Sequence, residues 1–148
     1  MILHQNNRFY FGNISFSLPD NICLFRPDEV VFNTGLELIA PDKSYRIDIH
    51  GYESEFPGKG FFEEMLEPEA FRWLGNVTPF VYHGISGCFL CYEGGETAYC
   101  EILFDLQHRE FNILSVLFYC EKNKMDIGTM MKGKAAQDLL NSFQAVIE

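Results

Sequence analysis

The stretch that decides the fold spans residues 80–120 and reads FVYHGISGCFLCYEGGETAYCEILFDLQHREFNILSVLFYC. It contains three strand-like segments, Phe80–Tyr92, Thr97–Leu106 and Phe111–Cys120, which are separated by short polar or glycine-rich turns. The third segment has Leu114, Val116 and Phe118 on one face and Ile113, Leu117 and Tyr119 on the other. A strand with apolar side chains on both faces is typical of a sheet that is covered on both sides. The sequence therefore predicts a central antiparallel meander.

The first two of these segments form a predicted hairpin around Glu93-Gly94-Gly95-Glu96. With Gly94-Gly95 as the turn, Tyr92 lies opposite Thr97 and Phe89 lies opposite Cys100. One face of this hairpin then carries Phe89, Cys91, Ala98, Cys100, Ile102, Phe104 and Leu106. Cys91 and Cys100 become diagonal neighbours on that face, which allows a contact between their thiols.

Shorter segments flank the meander. The dipeptide Gly12-Asn13 predicts an N-terminal hairpin, and short strands are predicted at Ile22–Phe25, Leu36–Ala40 and Tyr45–Tyr52. A helical stripe runs through Phe62, Met65 and Leu66, and Pro68 starts a second helical turn with Phe71 and Leu74. A closing helix is predicted over Lys134–Ile147.

No repeat, low-complexity tract or Ser/Gly linker interrupts residues 1–148, so we expect a single α+β domain. The order of elements, together with the phrase Ile14-Ser15-Phe16-Ser17-Leu18-Pro19, resembles the PsbP-like α/β/α sandwich with its central antiparallel sheet. The resemblance implies a non-enzymatic binding module, as most members of that fold group are. The alternative fold is a two-layer α+β roll with both helices on one side of the sheet.

The chain is acidic, with 21 acidic against 11 basic residues and a formal net charge of −10. This charge disfavours binding to nucleic acids or anionic membranes and permits a basic protein partner. Acidic surfaces are also a common route to solubility, which is the alternative explanation of the charge. The first residues lack the basic start and apolar core of a secretory signal, and no apolar run approaches the roughly 18 residues of a membrane span. We therefore expect a cytoplasmic protein with reduced cysteines.

Three motifs that suggest catalysis or metal binding fail on their context. Gly128–Lys134 has the spacing of a phosphate-binding loop, but Ala135 stands where a Ser or Thr hydroxyl would hold magnesium. Cys88 and Cys91 have the spacing of a zinc or redox pair, but residues three apart in a strand point to opposite faces. Gly84-Ile85-Ser86-Gly87 resembles a nucleophile elbow but continues into a strand. We expect no catalytic residue, cofactor or metal site.

The strongest functional signal is an acidic segment in and just before the first predicted helix. It contains Glu53, Glu55, Glu63, Glu64, Glu67 and Glu69, against Lys59 alone. Aromatic side chains beside charge are typical of partner-binding surfaces. We predict an interaction module of immunity or adaptor type that binds a basic partner through Glu63, Glu64, Glu67, Glu69, Phe71 and Trp73. The alternative is a small-molecule binder or a thiol-dependent enzyme with an internal pocket lined by Phe89, Cys91, Cys100 and Phe104.

Overall fold

The computed structural model describes residues 3–5, 8–20, 22–24 and 35–146. Within these ranges the chain forms β1 (Leu3–Gln5), β2 (Arg8–Phe11), β3 (Ile14–Phe16), β4 (Cys23–Leu24), β5 (Gly35–Ile39), β6 (Tyr45–Tyr52), α1 (Lys59–Met65), β7 (Arg72–Trp73), β8 (Thr78–Tyr82), β9 (Ile85–Gly94), β10 (Thr97–Asp105), β11 (Ile113–Glu121), α2 (Ile127–Lys132), α3 (Lys134–Asn141) and β12 (Gln144–Ala145). The predicted hairpin at Gly12-Asn13 is confirmed by β2 and β3. Of the predicted strand Ile22–Phe25, residue 25 lies outside the described residues.

The strands form two antiparallel sheets. The large sheet has the order β4-β5-β6-β11-β10-β9-β7, and β8 also pairs with β9. The small sheet has the order β1-β2-β3-β12, so a segment near residue 144 completes a sheet that begins near residue 3. The longest strands, β6, β9, β10 and β11, are neighbours in the middle of the large sheet.

The large sheet is covered on both faces. Its first face, which carries Ile47, Val116 and Phe104, packs against the small sheet and against α2 and α3 in one buried cluster. Its second face, which carries Leu90, Leu103 and Ile113, packs against α1 in another cluster. Val116 and Phe118 are buried on the first face of β11, and Ile113 and Ser115 are buried on the second. The predicted two-sided burial of this strand is therefore confirmed.

A column of phenylalanine rings joins the two sheets. Phe143 stacks on Phe16 of the small sheet, with ring centroids 4.8 Å apart, and on Phe104 of the large sheet at 5.1 Å. Phe9 extends the column, since its ring stacks on Phe16 at 5.4 Å. Phe16, Phe104 and Phe143 are almost completely buried, so this column forms the centre of the core between the sheets.

The expected α/β/α sandwich is wrong. The first face is covered by a second sheet together with two short helices, and the second face has a helix of only seven residues. The two-layer roll is wrong as well, because α1 lies on the opposite face from α2 and α3. The N-terminal hairpin does not join the central sheet but builds its own sheet with β12. The mixture of strands and short helices is α+β in content.

Both predicted helices are shorter than expected. After Pro68 one helical turn forms, in which the Ala70 and Phe71 amides donate to the Glu67 carbonyl, but the predicted turn does not extend to Leu74 because the chain enters β7 at Arg72. Met65 is not part of the buried face of α1, contrary to the predicted stripe. Its side chain is 52% exposed, whereas Phe61, Phe62 and Leu66 are buried. The closing helix begins at Lys134 as predicted, as α3, but ends at Asn141, and a further short helix, α2, precedes it. Residue 147 of its predicted stripe lies outside the described residues.

The segment predicted as one strand over Phe80–Tyr92 is a hairpin. His83 and Gly84 both have positive φ, 49° and 81°, which matches the backbone requirement of a two-residue type I′ turn. The following turn is Gly95-Glu96 instead of Gly94-Gly95, so Thr97 pairs with Gly94 and Phe89 with Ile102. Gly94 packs against Phe71, where a Cβ would come within 2.7 Å of the ring. Because the register shift is two residues, each side chain keeps its predicted face.

Candidate functional site

The predicted partner-binding residues lie on α1 and in the connection to β7. Glu63 and Glu64 belong to α1, and Glu67 and Glu69 lie in the turn that follows it. All four side chains are exposed, as are Glu53 and Glu55 before the helix. In the described part of the chain, none of these six carboxylates forms an ion pair. The surface around α1 therefore carries negative charge that no neighbouring cation neutralises by direct contact.

The amphipathic pattern of α1 explains why the acids face outward. Phe61 and Phe62 are buried against the second face of the large sheet, together with Leu66 at the C-cap. Phe61 contacts Tyr52 of β6, with ring centroids 5.5 Å apart. Burial of these side chains fixes the helix on the sheet and leaves Glu63 and Glu64 on its free side.

A shallow groove of about 450 Å³ lies beside this acidic surface. Its lining consists of Glu63, Leu66, Pro68, Phe71, Arg72 and Trp73. The structure thus brings together three of the six predicted partner-binding residues, Glu63, Phe71 and Trp73. Glu64, Glu67 and Glu69 do not line the groove but are exposed on the same short segment. Sequence reasoning missed the other three lining residues, Leu66, Pro68 and Arg72.

The aromatic wall of the groove is held by the large sheet. Trp73 pairs with Tyr92 of β9 through the backbone, and its ring meets Phe62 edge to face at 6.5 Å. Phe71 meets Tyr92 edge to face at 5.7 Å. Tyr92 in turn stacks on Tyr99 at 4.8 Å. Phe71 and Trp73 are only partly exposed, so the groove offers two aromatic side chains whose positions are fixed by buried neighbours.

The cation at the rim of the groove is already paired. Arg72 Nη2 lies 2.6 Å from Glu93 Oε1, and Lys122 Nζ lies 3.8 Å from the other carboxylate oxygen. Glu93 is the cross-strand partner of Arg72 in the pairing of β7 with β9. This ion pair directs the Arg72 guanidinium toward Glu93 and leaves Glu63 as a groove-lining carboxylate with no cation bound.

A buried carboxylate, which sequence reasoning also missed, lies on the second face of the large sheet. Glu101 is only 6% exposed and accepts hydrogen bonds from the Tyr92 hydroxyl at 2.8 Å and the Ser115 hydroxyl at 2.6 Å. Burial raises the pKa of Glu101, and the two hydrogen bonds oppose that shift. The alternation of β10 is the sequence signal that could have found this site. Glu101 lies two residues from Leu103 and therefore on the same apolar second face of the sheet.

A separate apolar cavity of about 210 Å³ lies between α3 and strands β8 to β10. Its lining consists of Phe80, Tyr82, Phe89, Ile102, Phe104, Gln137, Leu140 and Asn141. The Tyr82 hydroxyl donates a 2.6 Å hydrogen bond to Asn141 Oδ1 at its polar side. Two of the four residues predicted for an internal pocket, Phe89 and Phe104, line this cavity, and Cys91 and Cys100 do not.

Cys91 and Cys100 are nevertheless brought together. They are direct partners in the pairing of β9 with β10, not diagonal neighbours as expected. Cys91 is partly exposed and Cys100 is buried. Cys88 lies on the opposite face, and burial raises its pKa to about 11. The prediction that Cys88 and Cys91 point to opposite faces agrees with their membership of different clusters.

Among the residues that the structure describes, no group of three or more His, Cys, Asp or Glu side chains is placed to hold a metal ion. No helix in the described ranges has the length and apolar character needed to cross a bilayer.

No protein-family model matches the chain, and no curated protein matches it. The chain is similar to a crystal structure from Bacteroides thetaiotaomicron VPI-5482, with 16% sequence identity and a TM-score of 0.49. The match covers 98% of this chain and 50% of the other, so this chain spans about half the length of that protein.

Proposed function

We propose that the protein is a non-catalytic recognition module of immunity or adaptor type, which neutralises or recruits a basic protein partner. The observation that carries this proposal is the groove between α1 and β7, where Glu63 lies beside Phe71 and Trp73. The groove joins a region with six exposed glutamates that form no ion pairs within the described chain. Charge and aromatic anchors therefore occur in the same place.

The chemistry of the groove favours an arginine or lysine that is flanked by an apolar side chain. A guanidinium placed over Trp73 or Phe71 gains a cation–π interaction and remains within reach of the Glu63 carboxylate. Leu66 and Pro68 offer apolar contact to a neighbouring side chain of the partner. The surrounding glutamates add long-range attraction, which raises the association rate more than it raises the final affinity.

Trp73 provides a direct test, because it is the only tryptophan in the chain. A suitable probe is a synthetic arginine-rich peptide with one central leucine, titrated while tryptophan emission is recorded. We expect a change in Trp73 emission that saturates and that weakens with added salt, since screening acts on exposed charges. The same peptide with glutamates in place of its arginines should leave the emission unchanged.

Charge reversal distinguishes peptide binding at this groove from general attraction of a basic peptide to an acidic protein. Glu63→Lys combined with Glu67→Lys should weaken peptide binding by about five-fold or more, because each exposed ion pair is worth about 0.2–1 kcal/mol and reversal adds repulsion. Glu37→Lys combined with Asp20→Lys is the control matched in charge, because both side chains are exposed and neither lines the groove. Equal loss in control and α1 variants, or emission that never responds, would contradict the proposal.

The apolar cavity supports a second candidate function, the binding of a small planar aromatic molecule. Four of its lining residues are aromatic, and Gln137 and Asn141 supply polar groups at one side. Indole is a suitable probe, with binding followed by calorimetry. Leu140→Trp should abolish that binding by filling the cavity, while Glu63→Lys should not affect it. Absence of indole binding to the unmodified protein would contradict this second candidate function.

A further inference from the structure

The pairing of β9 with β10 places Cys91 and Cys100 directly opposite each other. The two strands are joined by the two-residue turn Gly95-Glu96, and Gly94 and Thr97 form the pair that closes it. In an antiparallel hairpin, pairs alternate between hydrogen-bonded and non-hydrogen-bonded, starting with a hydrogen-bonded pair at such a turn. Cys91 and Cys100 form the fourth pair from the turn and so occupy a non-hydrogen-bonded position. At such positions the Cα atoms are about 4.5 Å apart, within the range that a disulfide spans.

The two thiols of this pair differ in exposure and in acidity. Cys91 is partly exposed, whereas Cys100 is buried beneath it. A hydrogen bond from the Cys100 thiol lowers the pKa of Cys91 to about 7, although burial acts in the opposite direction. The same contact and burial raise the pKa of Cys100. Cys91 is therefore the nucleophile of the pair, and Cys100 is the second thiol beside it.

The other two cysteines with described side chains have no such partner. Cys88 lies on the second face of the sheet, in a different cluster from Cys91 and Cys100. Cys120 shares the first face but directs its thiol to the Met125 carbonyl, at 3.4 Å. Within the described chain, Cys91 and Cys100 are the pair that the fold preorganises for a reaction between two sulfurs.

We propose that Cys91 and Cys100 form a peroxide-reactive dithiol site, in which a hydroperoxide oxidises the pair to a cross-strand disulfide. In the first step the Cys91 thiolate attacks one peroxide oxygen, an S–O bond forms and the O–O bond breaks. The released alkoxide or hydroxide takes a proton from solvent, which replaces the one that Cys91 lost on ionisation, and leaves as an alcohol or water. In the second step the Cys100 sulfur attacks the Cys91 sulfenic acid, an S–S bond forms, the S–O bond breaks, and water leaves with the Cys100 proton. The two sulfurs lose two electrons, and the hydroperoxide accepts them.

The experiment treats the reduced native protein with hydrogen peroxide, alkylates the remaining thiols in denaturant and maps the peptides without reduction. We expect a loss of two of the five thiols and a single new cross-linked species that joins Cys91 to Cys100. Dithiothreitol should restore both thiols. A sulfinic acid at Cys91 with a free Cys100, a disulfide between other cysteines, or five intact thiols would each overturn the proposal.

Variants sharpen this test but are not required for it. Cys91→Ala should lose no thiols to disulfide formation under the same treatment. Cys120→Ser is the control, because it replaces another thiol on the first face and its hydroxyl can still reach the Met125 carbonyl. This control should lose two thiols, as the unmodified protein does. If Cys91→Ala fails to fold, the peptide map of the unmodified protein still decides the question.

Discussion

The Tyr92 hydroxyl donates a 2.8 Å hydrogen bond to the Glu101 carboxylate, across the diagonal of the hairpin formed by β9 and β10. Tyr92 also carries the aromatic wall of the groove, through its contact with Phe71. The buried acid and the exposed recognition surface are therefore connected by one side chain. A substitution at Glu101 therefore changes the hydrogen bonding of a side chain that packs against the groove.

Glu101→Gln should change how stability depends on pH. Burial raises the pKa of Glu101 above its ordinary value of 4.5, so the folded protein holds this proton more tightly than the unfolded chain does. The stabilisation from this group is complete below pH 4.5 and is lost as the pH rises through the raised pKa. The glutamine has no proton to lose, so the variant gains stability relative to the unmodified protein as the pH rises. Urea denaturation at a series of pH values measures this difference.

Glu110→Gln is the control for this titration, because Glu110 is exposed. This exposed substitution should change the free energy of unfolding by about 0.5 kcal/mol or less. A difference in unfolding free energy between Glu101→Gln and the unmodified protein that is constant from acid to neutral pH would show that Glu101 does not titrate differently on folding.

Leu66→Ala and Met65→Ala test which side of α1 is buried. Leu66 is 7% exposed and packs with Phe61 and Phe62, so its truncation should cost about 2–5 kcal/mol. Met65 is 52% exposed, and its truncation should change stability by about 0.5 kcal/mol or less. Denaturant unfolding curves of the two variants provide the comparison. Similar losses for both would mean that α1 is rotated from the orientation described.

Phe143→Ala should remove the ring that joins the two sheets. Phe143 stacks on both Phe16 and Phe104, and its truncation should cost about 3–5 kcal/mol in the free energy of unfolding. Phe56→Ala makes the same chemical change at a ring that is 55% exposed, and it should have little effect. Hydrogen exchange in β2 and β3 should accelerate in Phe143→Ala, and unchanged exchange there would contradict the role of the column.

Cys100→Ala should shift the reactivity of Cys91 to higher pH. Without the thiol that donates to it, the pKa of Cys91 should rise from about 7 toward its ordinary value of 9.0. Its thiolate fraction at neutral pH would then fall. Residue-resolved alkylation rates over a pH series measure the midpoint. An unchanged midpoint would show that Cys100 does not control the acidity of Cys91.

Local sequence patterns predicted the strands well. The alternation in Tyr45–Tyr52 and the two-sided apolar pattern of Phe111–Cys120 both depend on period-two geometry, which holds wherever a strand is formed. The face shared by Cys91 and Cys100 was also correct, because the error in register was an even number of residues. The exact pairing was missed because two overlapping turns, Gly94-Gly95 and Gly95-Glu96, both fit the sequence, and the structure uses the second.

The layer arrangement could not be predicted, because it depends on contacts between distant parts of the chain. Phe143 fits the helical spacing of Lys134–Ile147, yet α3 ends at Asn141. The Phe143 ring instead fills the space between Phe16 and Phe104. β12 is only two residues long and has no strand pattern of its own. At the candidate site, the acids were predicted from charge alone, but the groove depends on how α1 and β7 meet on the sheet.

The junction between β3 and β12 constrains how the protein can be made. The Arg8 guanidinium donates to the Ser142 carbonyl at 2.6 Å, and the Ser17 amide donates to the Ser142 hydroxyl at 3.0 Å. On a translating ribosome, the amino-terminal hairpin emerges long before these acceptors have been synthesised. The nascent chain must therefore carry an open strand edge and an unstacked Phe16 until the segment around residue 144 has been synthesised. Pairing within the small sheet thus depends on two segments whose synthesis is separated by most of the described chain.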